Sequence, residues 1–243
     1  MYLKKVLLFA PFLLLTACGL PLLSKKGQQA HYIKLTTPYG NSIIRLYDET
    51  PLHRDNMLKL VRDGFYDSLL FHRVIEDFMI QGGDPNSRDA APGDRLGEGE
   101  AAGPRIPAEF RDSLFHKKGV LAAARDDNPE KASSNCQFYI VQGQVFTDEQ
   151  LDMLEQTRLQ GREIPEWQRE VYKTIGGTPH LDQTYTVFGE VVRGLDMVDS
   201  IAALETDPFN RPLEDVKMSI RELSKREVRR LEYEIIPPSA SAR

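Results

Sequence analysis

A chain of 243 residues has room for one large domain or two small ones. Its net charge of −5 comes from 31 basic and 36 acidic side chains scattered along the whole length. That distribution argues against a nucleic-acid-binding stripe and against a solvating acidic tail.

The first residues read as a targeting segment rather than as fold. Lys4 and Lys5 precede an almost wholly apolar run, Val6 to Leu15. A run of ~7–15 residues suits a signal sequence and is too short to span a bilayer. Leu15-Thr16-Ala17-Cys18 follows and resembles the lipobox of bacterial lipoproteins. The resemblance implies removal of residues 1–17 and lipid attachment to Cys18. An ordinary signal peptide ending in a chance cysteine is the alternative. Each buried methylene of an acyl chain contributes ~0.8 kcal/mol, and more than one chain makes the attachment stable. Residues 18–30 then form a tether, and the location expected is the bacterial cell envelope, on the periplasmic face of the inner or outer membrane. With Cys18 so used, Cys136 has no partner for an internal disulfide. It lies in an apolar strand-like run and is expected to be a buried, inert thiol.

His31 to Thr37 and Ser42 to Tyr47 alternate as strands around a Pro38–Asn41 turn, giving an opening hairpin. Thr50-Pro51 predicts a helix start, with the Thr50 hydroxyl as N-cap and proline in the first turn. Met57, Leu60 and Val61 lie at helical spacing, and Gly64 ends the helix.

Phe71 to Asp84, FHRVIEDFMIQGGD, is a second hairpin: apolar β-formers flank a charged turn, and Gly-Gly-Asp closes it. Side chains alternate along a strand, so turn length decides which residues share a face. A two-residue turn at Glu76-Asp77 sets Arg73 opposite Ile80. A three-residue turn, Ile75 to Asp77, sets Arg73 opposite Met79 with Gln81 on the same face. The second is preferred, because it gathers Arg73, Met79 and Gln81 on one surface and turns His72, Val74 and Ile80 toward the core.

A long loop, Pro85 to Pro107, comes next, and loops of that length are commonly functional or disordered. Its Gly97–Gly103 run is no phosphate cradle: Glu98 and Glu100 would repel phosphate, and Pro104 stands where a helix should begin. Gly119 to Arg125 is a strand of small residues, and Cys136 to Gln142 is the next strand. Thr147-Asp148-Glu149 starts a helix with Leu151 and Leu154 on one face. Pro165 opens another, with Trp167, Val171 and Ile175 at helical spacing. The apolar faces of this helical hairpin are expected to bury against each other or against the body of the fold. A strand around Val187–Val192, a helix from Gly194 to Leu204 and a last strand from Val216 to Leu223 complete the domain. Residues 224–243 are charged and then Pro/Ser/Ala-rich, and are expected to be a peripheral, partly disordered tail.

Phe71–Asp84 resembles the signature of the cyclophilins, a family of peptidyl-prolyl cis-trans isomerases, and so do Ile106–Phe110 and His180–Val192. The resemblance runs over roughly Tyr32 to Leu223, interrupted by residues 147–179. It implies a mainly β fold: a closed eight-stranded antiparallel barrel with two flanking helices, here carrying an inserted helical hairpin. It implies rotation about Xaa-Pro bonds of polypeptide substrates, with Arg73 as the catalytic cation. Phe78, Met79, Tyr139 and Leu181 match the family positions of the proline slot, with Tyr185 on its wall. Gln81 would hold the substrate backbone and orient Arg73, Ala124 would line the peptide groove through main-chain hydrogen bonds, and Gln137 would bind the residue preceding the proline. The family often has tryptophan, linked to cyclosporin binding, at the position of His180, so weak cyclosporin binding is expected. It often has histidine at that of Tyr185, whose aromatic face and hydroxyl would keep the slot wall. No cofactor is implied. His31, His53, His72, His116 and His180 show no metal-ligand spacing. The partners expected are proline-containing polypeptides and, through Cys18, a membrane, with no nucleic acid and a monomeric state.

Overall fold

The computed structural model describes residues 30–235. The signal segment, Cys18 and the end of the tail lie outside the described residues. Eight strands form one sheet: β1 (His31–Thr37), β2 (Gly40–Leu46), β3 (Phe71–Ile75), β4 (Met79–Gly82), β5 (Val120–Ala123), β6 (Phe138–Val141), β7 (Val187–Arg193) and β8 (Ser219–Glu222). Their spatial order is β3-β4-β6-β5-β7-β2-β1-β8, with every neighbour antiparallel.

The sheet curls, but the closed barrel expected from the sequence is not formed. Its two ends meet through one bridge, Leu70 to Lys217, and a few flanking backbone bonds such as Met218 N to Leu69 O at 2.8 Å. Ser68, with a φ of +66°, turns the chain just before β3, and its own N–H still donates across the seam to Met218 O at 2.9 Å.

Alternation along the strands sorts the side chains onto two faces. Ile80, Leu121, Phe138 and Ile140 point into the main core with Ile33, Leu35, Ile44 and Leu46. Two helices cover that core: α1 (Pro51–Arg62) with Met57, Leu58, Leu60 and Val61, and the short helix Asp196–Ala202 with Met197, Val198 and Ile201. The opposite face of β4, β5 and β6 carries Met79, Val120, Ala122, Tyr139 and Val141, a smaller apolar cluster open to one side. That face holds the candidate site.

Helix α1 begins where the sequence predicts, but Thr50 is not its cap. The Thr50 hydroxyl is buried without a partner among the described residues, and Glu109 does the capping instead. Its carboxylate accepts from the backbone N–H of Leu52 (3.2 Å) and His53 (3.0 Å), and from His53 Nδ1 (2.8 Å). A negative charge at a helix N-terminus meets the unsatisfied N–H groups and the positive end of the dipole.

Between β6 and β7 lie α2 (Asp148–Thr157) and α3 (Glu166–Thr174). Thr147 and Gln150 form a reciprocal capping box at the predicted start of α2. Leu151 and Tyr172 are fully buried in a third cluster with Phe115, Phe146, Leu159 and Ile164, so the two helices pack against each other and against the loop before β5. The buried side of α3 differs from the expected Trp167–Val171–Ile175 face. Gln168 and Tyr172 point inward, while Trp167 and Ile175 are each 50% exposed.

The tail is also corrected. Lys225–Ile235 is a helix, numbered here α5 after α4 (Asp196–Ala202). Val228 and Leu231 bury against Tyr32 and Leu223, and Ser224 with Glu227 caps the start. An apolar pair three residues apart is enough to dock a short charged helix.

Candidate active site

The β3–β4 hairpin turns through Glu76, Asp77 and Phe78. Asp77 takes the left-handed conformation (φ +60°), and Phe78 N donates to Ile75 O at 3.2 Å. The register pairs Arg73 with Gln81 and Ile75 with Met79. It differs by two residues from the predicted one, in which Arg73 faced Met79. A shift of two preserves parity, so Arg73, Met79 and Gln81 still share a face. His72 is an extra residue in β3 where the register slips between Phe71 and Arg73. It is 4% exposed, and neither ring nitrogen has a partner among the described residues. Burial holds it neutral, pushing its pKa down to about 4.

A hydrogen-bonded chain runs across the site. Arg73 Nη1 donates to Gln81 Oε1 at 3.2 Å, and Gln81 Nε2 donates to Gln137 Oε1 at 3.2 Å. Gln137 Nε2 donates to the carbonyls of Gly97 (2.9 Å) and Gly99 (2.8 Å). The long loop is therefore ordered around the site, and Asp84 secures it by accepting from the Gly97 N–H. Gly83 is required where the chain leaves β4. Its φ is +97°, and a Cβ there would lie 2.3 Å from the Cys136 carbonyl oxygen. Cys136 itself is buried, and its thiol is pushed up to about 12 by that burial, as an inert thiol should be.

Arg73 is half-buried and is not ion-paired with any carboxylate among the described residues. Its guanidinium lies 5.8 Å from the Phe78 ring centre. Burial lowers its pKa from the ordinary arginine value, partly offset by Tyr185, and leaves it a cation at any physiological pH.

Beside it is a slot with about 370 Å³ of empty space, suited to one side chain rather than a large cofactor. Arg73, Phe78, Met79, Gln81, Ala124, Tyr139, Leu181 and Tyr185 all line it, so the structure brings together every predicted site residue it describes except Gln137. Gln137 is 5% exposed and lines an adjoining cavity that shares Gln81, Ala124 and Arg125 with the slot. Among the described residues there is no cluster of three or more His, Cys, Asp or Glu placed to hold a metal ion.

Two features escaped the sequence reading. Arg125 also lines the slot, with its guanidinium 4.8 Å from the centre of the Tyr185 ring and Nε donating to Thr184 O at 3.0 Å. It lies just past β5, where strand parity no longer places a side chain. The second is a buried chain behind the slot. Tyr172 Oη donates to Asp182 Oδ2 at 2.7 Å, and Asp182 Oδ1 accepts from His116 Nδ1 at 2.9 Å and from His116 N at 2.8 Å. With Nδ1 so committed, His116 Nε2 is left to accept from Tyr139 Oη at 2.9 Å. Asp182 follows Leu181 in the sequence, but a tie to an inserted helix carries no local signal. At the rim, His180 stacks on Phe78 with ring centres 5.6 Å apart. Burial and Arg158 push its pKa down to about 4, so it is neutral near pH 7.

The family model for "Cyclophilin type peptidyl-prolyl cis-trans isomerase/CLD" matches residues 32–222. A Staphylococcus saprophyticus protein named, provisionally, as a peptidyl-prolyl cis-trans isomerase is 33% identical over 197 residues, covering 81% of this chain and 93% of that one. A Streptococcus pyogenes protein, named provisionally as a bifunctional phosphatase/peptidyl-prolyl cis-trans isomerase, is 33% identical over 202 residues, and this chain spans 39% of its length. Among solved structures, a Cryptosporidium parvum cyclophilin type peptidyl-prolyl cis-trans isomerase superimposes with a TM-score of 0.60 at 20% identity, covering 81% of this chain and 99% of that one. A structure of that protein in the presence of the dipeptide Ala-Pro gives 0.59 at 21% identity, covering 80% and 99%. The chain belongs to the cyclophilin-type peptidyl-prolyl cis-trans isomerase family.

Proposed function

We propose that this isomerase turns Xaa-Pro bonds in polypeptides of the cell envelope, held to a membrane by lipid on Cys18 and acting through Arg73. Amide resonance sets a barrier of ~18–20 kcal/mol to the rotation. No bond breaks, so no nucleophile is needed. The protein must bind the twisted amide better than either planar isomer, and each ~1.4 kcal/mol of that preference gives a tenfold rate.

The observation that carries the reading is the Arg73–Gln81–Gln137 chain beside an apolar slot. Phe78, Met79, Tyr139, Leu181 and the Tyr185 ring would grip the proline ring. As the amide twists, its nitrogen becomes pyramidal and recovers a lone pair. The Arg73 guanidinium would donate to that nitrogen, an interaction absent from the planar ground states. Gln81 holds one Arg73 nitrogen, which fixes the direction of the rest of the fork. Gln137 holds Gln81 in turn, so its role is to position that chain and, beside Ala124, to meet the residue preceding the proline.

The test is exchange between cis and trans forms of a short proline peptide, measured by NMR with and without the protein. Equal rates would sink the isomerase reading. Binding without acceleration would leave a peptide-holding module. The anchor is tested separately. Loss of detergent-phase partitioning in Cys18→Ser supports it, and a variant still membrane-bound contradicts it. His180 in place of the family's frequent tryptophan supports weak inhibition by cyclosporin, and tight inhibition in a titration would contradict that expectation.

A further inference from the structure

The proposed reaction makes no use of α2 and α3. Yet α2 and the segment leading to His180 flank a second groove, open to solvent and wider than the slot. Phe146, Met153, Leu154, Arg158, Thr178 and His180 are among its lining residues. Met153 is 64% exposed beside partly buried Leu154 and buried Phe146, so the groove presents an apolar patch at Met153 within a lining that also holds Asp77, Gln144, Gln150 and Thr157. The Thr178 hydroxyl is buried and has no partner among the described residues. Arg158 is exposed and unpaired among them, whereas Arg169 on the neighbouring helix holds Asp148, Asp152 and Glu155.

Slot and groove share a wall. Phe78 lines the slot, His180 lines the groove, and the two rings stack at 5.6 Å. An extended chain advances ~3.3 Å per residue, so a peptide leaving the slot over this pair reaches the groove within a few residues. The direction follows from the other end. The slot adjoins the Gln137 cavity through Gln81, Ala124 and Arg125, the side assigned above to the residue preceding proline. The groove lies past Phe78, on the side of the residues that follow. The helical pair is held against the slot, because α2 packs on Tyr172 of α3 through Leu151 and Leu154, and Tyr172 reaches Tyr139 through Asp182 and His116.

We propose that α2 and the segment ending at His180 form a second peptide subsite, which takes an apolar side chain a few residues to the carboxyl side of the substrate proline. The occupant is the substrate chain itself. The inference rests on the isomerase reading of the slot for its direction, and the test separates the two. The probes are a fluorescent Ala-Pro tetrapeptide, the same peptide extended on its carboxyl side by a leucine-bearing segment, and one extended likewise on its amino side. Affinity is read by anisotropy and turnover by exchange. The carboxyl-side extension is expected to bind about tenfold tighter than the tetrapeptide. Met153→Glu is expected to remove that gain, Met153→Leu to keep it, and both to leave tetrapeptide turnover unchanged. Exposure of Met153 on a helix surface makes either substitution compatible with folding. A gain that survives Met153→Glu, an equal gain from the amino-side extension, or no gain at all would overturn the proposal. Failure of the unmodified protein to turn over the tetrapeptide would strike the isomerase reading instead, while the affinity comparison still decides the groove.

Discussion

Two buried hydrogen-bond chains reach the slot from opposite sides, and they leave opposite things at its surface. The first runs from the Gly97 and Gly99 carbonyls through Gln137 and Gln81 and ends on the Arg73 cation. The second runs from Tyr172 through Asp182 and His116 and ends on Tyr139. There the hydroxyl is drawn behind the slot, so that the Tyr139 ring can act as an apolar wall. One chain delivers charge to the proline site and the other removes polarity from it. Both satisfy buried polar groups, but only the first is expected to bear on the transition state.

Breaking the first chain at its end gives the largest effect. Arg73→Ala is expected to lower kcat/KM by about 10²–10³-fold, the usual loss of a fixed donor at a developing lone pair, with folding unchanged. Arg73→Lys should recover little, because a point cation lacks the planar fork that Gln81 orients. Exchange spectroscopy on a proline peptide measures both, and full activity in Arg73→Ala would remove the proposed mechanism.

The second chain should break differently. Asp182→Ala leaves three donors without an acceptor: the His116 N–H, His116 Nδ1 and the Tyr172 hydroxyl. Each stranded donor costs roughly 1–3 kcal/mol, so a stability loss of at least about 3 kcal/mol in urea unfolding is expected. Residual turnover per folded molecule should fall much less than in Arg73→Ala. Equal losses of turnover would erase the distinction between the chains.

The first chain was far more legible in the sequence than the second, and the reason is geometric. Arg73, Met79 and Gln81 lie on adjacent strands of one hairpin, where a period of two fixes the face even though the predicted register was two residues out. The Tyr172–Asp182 link joins an inserted helix to a loop, and no periodicity relates them. Tail helix α5 shows the opposite failing. Ser224 and Glu227 spell a capping box ahead of the Val228 and Leu231 pair, a local signal outweighed by the charged composition around it. Strand count was legible through the family resemblance, but closure was not, because the seam is one bridge and a few backbone bonds, a difference from a full ladder that residue alternation does not encode. Glu109, remote in sequence from α1, took the capping role that local reasoning gave to Thr50.

His72 sharpens the comparison from the other face of the same hairpin. Both nitrogens of His116 are bonded, while neither of His72 has a partner among the described residues. Desolvation holds His72 at about 4, with Asp84 opposing and Arg73 and Arg211 assisting, against an ordinary 6.5 in the unfolded chain. The unfolded state thus binds the extra proton, so the stability present above pH 6.5 is lost as pH falls toward 4. Between pH 7 and pH 5 the loss from this residue is about 2 kcal/mol. His72→Leu should remove that part of the pH dependence and cost little at pH 7, since neither ring nitrogen has a geometrically sound partner among the described residues. Identical pH profiles for the two proteins would mean that His72 finds a proton partner in solution.

The smallest effect is the most discriminating. Tyr139→Phe keeps an aromatic wall in the slot and deletes only the hydroxyl that bonds His116 Nε2. If the second chain exists to hide polarity, the slot loses nothing it presents to proline, and kcat/KM should stay within about twofold. Stability should fall by roughly 1–2 kcal/mol, since buried His116 Nε2 is left without its partner. If the hydroxyl instead rotates toward substrate during the reaction, kcat would fall with KM unchanged and stability would barely move. Measuring kcat, KM and urea unfolding on this one variant therefore tells a wall held from behind apart from a donor waiting at the site.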